Sequence, residues 1–167
     1  ETQKIPHHDY HNHLASLPGI FYQKNKIFPK TVNFIRGNKE ITQKWHDTLS
    51  KYKGLKIGIN NTASSANTGN RIIPLENFKI LTSLKNINFF LIQKDFNKNQ
   101  MKIINENSNV NYFENMDKSV KPFEDTIGIV KNLDLVITAD TSLGHLSATL
   151  GKPTWIALSL VSDWRWF

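Results

Sequence analysis

Leu135-Val136-Ile137, running into Thr138-Ala139-Asp140-Thr141-Ser142 and then into the small-residue stretch 143–150, decides how this chain folds. Three successive apolar residues read as a buried strand. Asp-Thr-Ser reads as a helix start, because short oxygen-bearing side chains accept hydrogen bonds from first-turn amides. Gly151-Lys152-Pro153 then stops the helix, and Thr154-Trp155-Ile156-Ala157-Leu158 begins another strand. The unit is strand, helix, strand, with Asp140, Thr141 and Ser142 at the carboxyl end of the first strand. A helix start leaves about four amides without intrahelical partners and carries roughly half a positive charge. That corner is a place for an anion, phosphate above all. Asp140 or Thr141 is expected to cap the helix, the hydroxyls of Thr141 and Ser142 to donate to phosphate, and His145 to share their face one turn on.

Working outward, the same alternation recurs. Ile41, Trp45, Leu49 and Tyr52 are spaced at three and four, which predicts an amphipathic helix over residues 38–52 stopped by Gly54. Residues 55–59 read as a strand, 60–70 as a polar loop, and Pro74 opens a helix with Phe78, Leu81 and Leu84 inward. Residues 88–93 are the next strand, 98–106 a helix, 110–113 a short strand and 123–132 a helix after Pro122. Strands alternating with helices predict an α/β fold, a Rossmann-like parallel sheet with helices on both faces. Right-handed crossovers place the ends of strands 55–59, 88–93 and 133–138 along one rim, where open α/β sheets bind ligands. Residues 1–37 stand outside this series and read as the end of a preceding domain and a linker, with the Rossmann-like domain expected over 38–167.

Length and composition narrow the class. At 167 residues the chain is long enough for one full domain and short for two. No apolar run approaches the roughly 20 residues that cross a bilayer, so a membrane-spanning protein is not expected. Zero cysteines remove disulfides and thiolate metal sites and make the cytoplasm the expected compartment. The net charge of +7 comes from lysines dispersed among asparagines, as in Phe96-Asn97-Lys98-Asn99. A nucleic-acid partner would instead cluster Lys and Arg on one face, so none is expected. Glu1-Thr2-Gln3-Lys4 has neither an initiator Met nor a signal-peptide core, and the chain is expected to begin inside a longer product.

An ordered set of short motifs adds a resemblance. Asp9-Tyr10-His11, Ser16-Leu17-Pro18, Arg71-Ile72-Ile73-Pro74-Leu75, Gln93-Lys94, Asp140-Thr141-Ser142 with His145-Leu146, Leu150-Gly151-Lys152-Pro153 and Asp163-Trp164-Arg165-Trp166 occur in that order. Together they resemble bacterial glycosyltransferases of the GT-B fold, often fused behind tetratricopeptide repeats and related to heptosyltransferases and to O-linked N-acetylglucosamine transferases. The resemblance implies two facing Rossmann-like domains, of which this chain would be the carboxyl-terminal, donor-binding one plus a sliver of the acceptor side. It implies that Thr141 and Ser142 hold the diphosphate and that Arg71 contacts it. Gln93 or Lys94 and His145 would lie near the nucleotide, with Asp140 in the same donor-binding set. His11 would be the catalytic residue on the acceptor side. The loop after the first strand departs from the family, which carries a Trp and a Gly-Asn pair where this chain has Asn60-Asn61-Thr62.

What the resemblance implies is an inverting, metal-independent transfer from a nucleoside-diphosphate sugar, a co-substrate rather than a bound cofactor. The acceptor would be a glycan, a lipid-linked sugar or a protein. The chemistry needs charge stabilised on a leaving diphosphate, which fixed dipoles and one or two cations supply. Arg71 follows a loop containing Gly69 and precedes the Pro74 helix, a position that favours a bidentate, permanently charged partner over a surface charge. Alternatives are a non-catalytic module for nucleotides or phosphorylated sugars and a GT-B-type sugar-nucleotide epimerase. Ser142 and His145 do not read as nucleophile and base, since no Gly-x-Ser-x-Gly elbow occurs. His7, His8, His11 and His13 lack a carboxylate-rich frame and read as a surface run, not a metal site. Trp155, Trp164 and Trp166 read as packing residues at the sheet's edge.

Overall fold

The structure, a computed structural model, describes residues 7–25, 33–62, 72–78, 80, 83–118, 120–162 and 166. Two compact units make up the chain, Glu1–Thr31 and Val32–Phe167. In the first, a 3-10 turn over Leu14–Ser16 leads into α1, Leu17–Asn25, with Leu14, Ile20, Phe21 and Tyr22 exposed.

The second unit begins with an extended segment and α2, Lys39–Leu49. Asn38 caps it, accepting from the amides of Glu40 at 2.8 Å and Ile41 at 3.2 Å. Ahead of the cap, Asn33 donates its amide to the carbonyl of Thr149 at 2.6 Å and Ile35 packs on the core. Residues 33–37 thus belong with this unit, and not with the linker expected up to residue 37; the reason is that main-chain pairing. After α2, Gly54 turns the chain with φ of +86° against the Asn86 carbonyl, leaving no room for a side chain.

The strands that follow are β1 (Leu55–Asn60), β2 (Ile87–Leu91), β3 (Val110–Tyr112), β4 (Leu135–Ala139) and β5 (Thr154–Ala157). Between them lie α3 (Lys98–Glu106), α4 (Glu124–Lys131) and α5 (Ser142–Thr149). They form a five-stranded sheet in the order β3-β2-β1-β4-β5, and every pairing is parallel. Register places Ile59 beside Leu91 on one side and Ile137 on the other.

Period-two alternation divides the core. Phe90, Ile92 and Val136 face α2, α4 and α5, meeting Trp45, Leu49, Ile129, Val130 and Leu143. Ile57, Ile59, Phe89 and Leu91 face the opposite way, onto Ile104 of α3 and onto Leu75 and Phe78. Helices therefore cover both faces, as the alternation of elements predicts. Of the helix expected after Pro74, Leu75–Phe78 is a 3-10 turn that buries Leu75 and Phe78 and Ile80 is helical, while Leu81 lies outside the described residues. Leu84 is 47% exposed, so it does not extend that buried stripe.

Candidate functional site at the carboxyl rim of the sheet

Strand order reverses between β1 and β4, the position at which crossovers on opposite faces leave a crevice beyond the carboxyl ends. A cleft of about 240 Å³ lies there. Asn60 contributes the end of β1 and Lys94 the exit of β2. Asp117, Phe123 and Thr126 form the wall before and at the start of α4, and Ser142 opens α5. Two residues that sequence places 48 positions apart, Lys94 and Ser142, thus meet on one cavity.

The start of α5 is extended at Thr141, with φ of −138° and ψ of 171°, and the Thr141 side chain makes no capping bond. The Thr141 hydroxyl instead lies 3.0 Å from that of Thr138. The Thr138 hydroxyl also donates to the Ala139 carbonyl at 2.8 Å. One expectation changes as a result: the Thr141 side chain does not cap the helix, and its hydroxyl pairs with that of Thr138. The exposed hydroxyl at this corner is that of Ser142. Asp140 is buried at 8% exposure at the strand's end.

Gln93 is buried and does not line the cleft; its side-chain amide donates to the Asp95 carbonyl at 3.0 Å, while its oxygen is buried without a partner. His145 is half-buried, and its ring stacks on that of Trp166, with centroids 4.6 Å apart and planes 14° apart. Trp155, expected to pack, sits on β5 at 65% exposure. Asn61, in the loop where the family pattern fails, turns away from the cleft. It accepts the Ile73 amide at 2.9 Å through its carbonyl and donates its side-chain amide back to the Ile73 carbonyl at 2.9 Å. Its side-chain oxygen also accepts from Gln100 at 3.3 Å.

Arg71 and the residues 163–165 lie outside the described residues. His11 is exposed in the first unit, between the rings of His8 at 5.9 Å and His13 at 6.1 Å. Among the described residues no group of three His, Cys, Asp or Glu side chains is placed to hold one metal ion. No described helix is long and apolar enough to cross a membrane.

Sequence reading missed Asp117, Phe123 and Thr126. Asp117 accepts from the amides of Asp125 at 2.8 Å and Thr126 at 3.2 Å and from the Thr126 hydroxyl at 2.5 Å. It caps α4 from eight residues upstream, a spacing that no local capping rule covers. The residue at the cap position, Phe123, is held at φ of +68° without a capping bond. Pro122 followed by Phe123, directly before Glu124-Asp125, was the available signal for a helix start; nothing in it points to a cleft.

No protein-family model matches the chain, and no curated protein sequence matches it. Among solved structures, E. coli heptosyltransferase WaaC with ADP-2-deoxy-2-fluoro heptose is similar at a TM-score of 0.53 and 17% identity, covering 95% of this chain and 49% of that one. The E. coli WaaC structure with ADP is similar at a TM-score of 0.52 and 17% identity, covering 94% and 49%. The chain therefore spans about half the length of the heptosyltransferase chains it matches. What this likeness establishes is the fold: a Rossmann-like parallel α/β domain of the kind a GT-B glycosyltransferase contains.

Proposed function

We propose that this chain binds the nucleoside-diphosphate sugar of an inverting, metal-independent glycosyltransferase. The observation that carries the reading is the cleft at the strand-order reversal, where the exposed Ser142 hydroxyl and the exposed Lys94 ammonium meet the start of α5. The diphosphate would sit against the first turn of α5, whose dipole contributes about 0.3 to 1 kcal/mol at an exposed end and up to roughly 2 when partly buried. Lys94 would supply a point charge, and Arg71, by the motif resemblance, a second cation. As the bond from the sugar's anomeric carbon to the diphosphate breaks, negative charge grows on the leaving oxygen, and these groups would stabilise it. The acceptor oxygen attacks from the opposite face, and its proton passes to a base, the role the resemblance gives to His11.

Support also comes from the neighbours: the E. coli heptosyltransferase WaaC structures hold ADP or an ADP-heptose analogue. An adenosine diphosphate sugar is accordingly the first donor to test. The kinship with tetratricopeptide-associated and O-linked N-acetylglucosamine transferases and the cytoplasmic setting belong to the same proposal, resting on the motif set and on the absence of cysteine. The acceptor class stays as wide as glycan, lipid-linked sugar or protein. Because the chain spans about half of each neighbour, binding rather than turnover is the readout. Calorimetry with adenosine, uridine and guanosine diphosphate is expected to give saturable binding for at least one, weakened by Ser142→Ala and Lys94→Ala. No binding of any of the three overturns the proposal.

A further inference from the structure

Trp166 is 21 residues beyond His145 in sequence, yet their rings lie face to face at 4.6 Å and 14°. Helical side chains lean toward the amino end, so the His145 imidazole lies over the turn that Thr141 and Ser142 begin. An imidazole on an exposed helix surface samples several rotamers; a flat aromatic ring laid on it leaves one. The indole nitrogen of Trp166 is buried and has no hydrogen-bond partner. A donor left in that state is unfavourable, so the ring is not held there by its N–H. Its contact with His145 is through the flat face alone.

We infer that Trp166 is a positioning residue whose indole face fixes the His145 ring beside the diphosphate-binding turn of α5. The inference rests on the functional reading above and adds to it a residue that acts through another. Fixing the imidazole before a ligand arrives removes an ordering cost from binding, the usual gain from preorganisation. The flat face is what matters, so Trp166→Phe keeps the function and Trp166→Leu loses it. Removing the orphaned N–H makes the Phe variant at least as stable as the parent.

The test titrates adenosine, uridine and guanosine diphosphate separately into the full chain and its variants by calorimetry, with thermal unfolding and the His145 ring-proton resonances followed alongside. Expected for Trp166→Leu is about three- to tenfold weaker binding, the range that loss of an aromatic pair implies. Trp166→Phe stays within twofold of the parent. The His145 resonance is displaced by ring current in the parent and the Phe variant and moves downfield in the Leu variant. His145→Ala should make the Trp166→Leu change silent in the double variant, which a purely structural role would not do. If Trp166→Leu does not fold, Trp166→Met carries the same expectations. A parent that binds and a Leu variant that binds equally well overturn this inference and leave the functional reading standing. A parent that binds none of the three diphosphates, with the ring-current displacement intact, overturns the functional reading and the role of Trp166 with it.

Discussion

Asp117 and Asp125 exchange main-chain hydrogen bonds through their carboxylates: the amide of Asp125 donates to Asp117 at 2.8 Å and the amide of Asp117 to Asp125 at 3.0 Å. The second carboxylate is the deeper, 1% exposed, and also accepts the Trp45 indole at 2.6 Å, which ties α2 to the wall of the cleft. Lys44 stands 3.7 Å from the same oxygen. Solvent access then ranks the two residues. Asp125→Ala strands a buried indole N–H, a loss of about 1–3 kcal/mol for that donor alone. Asp117→Ala, at a half-buried carboxylate, releases the amides of Asp125 and Thr126 at a helix start, costing about 0.5–2 kcal/mol as caps generally do. Urea unfolding checks the order; a larger loss for Asp117→Ala contradicts it.

Ser142 and Thr141 are adjacent hydroxyls with different duties. Ser142→Ala is expected to weaken nucleoside-diphosphate binding by about 0.5–1.5 kcal/mol, the net worth of one hydrogen bond, and to leave the unfolding midpoint unchanged. Thr141→Val removes the bond to Thr138 and is expected to lower stability by a similar amount. Calorimetry and thermal unfolding on both variants separate the two; equal behaviour in both assays refutes the division.

Lys94 is exposed, so its pull on an anion is screened by salt. Binding of a nucleoside diphosphate should weaken with rising ionic strength, and Lys94→Ala should flatten that dependence. A slope identical in parent and variant would place the ammonium outside the site.

Lys152 donates to the Leu133 carbonyl at 2.8 Å at the far end of β4. Burial holds its ammonium below the usual lysine range, with Asp134 pulling the other way and Lys131 adding to the fall. The unfolded chain therefore binds more protons between the lowered folded value and the ordinary lysine value of 10.5. Stability rises with pH wherever that holds, so this group's contribution grows through that window and is complete above it. Comparing parent with Lys152→Met by urea unfolding across alkaline pH isolates the effect; a difference that is flat or falls with pH contradicts the sign.

Tyr112 donates to Glu114 at 3.1 Å, and that bond, with the carboxylate's charge and some burial, pushes the phenol above its usual range. Glu114→Gln is expected to bring its titration back down, followed by phenolate absorbance. An unmoved titration would remove Glu114 as the cause.

Most of the fold was legible because it rests on local periodicity. Trp45 and Leu49, spaced at four, and Ile57 and Ile59, spaced at two, declare a helix face and a strand face without reference to anything distant. The parallel order followed from alternation of those elements. Less of the site could be read. Lys94 and Ser142 came from motifs, and their meeting on one cleft needed the register of β1 with β2 and β4. Gln93 carried the same motif signal as Lys94, but past the end of β2 its side chain is buried and donates to the Asp95 carbonyl, which took it out of the cleft. Thr141 looked like a cap, but its hydroxyl pairs with that of a neighbour of the same chemistry, Thr138. Asp117 was invisible because its partners lie eight and nine residues away, beyond any helical or turn spacing.

The reciprocal pair between Asn61 and Ile73 has a consequence for how this domain can change. Asn61 and Ile73 are held together at one point of the scaffold, so the sheet does not sense how many residues separate them in sequence. Doubling that number would cost only about 0.6 kcal/mol in closure entropy. Insertions between residues 61 and 73 are therefore expected to leave the framework beneath with its stability.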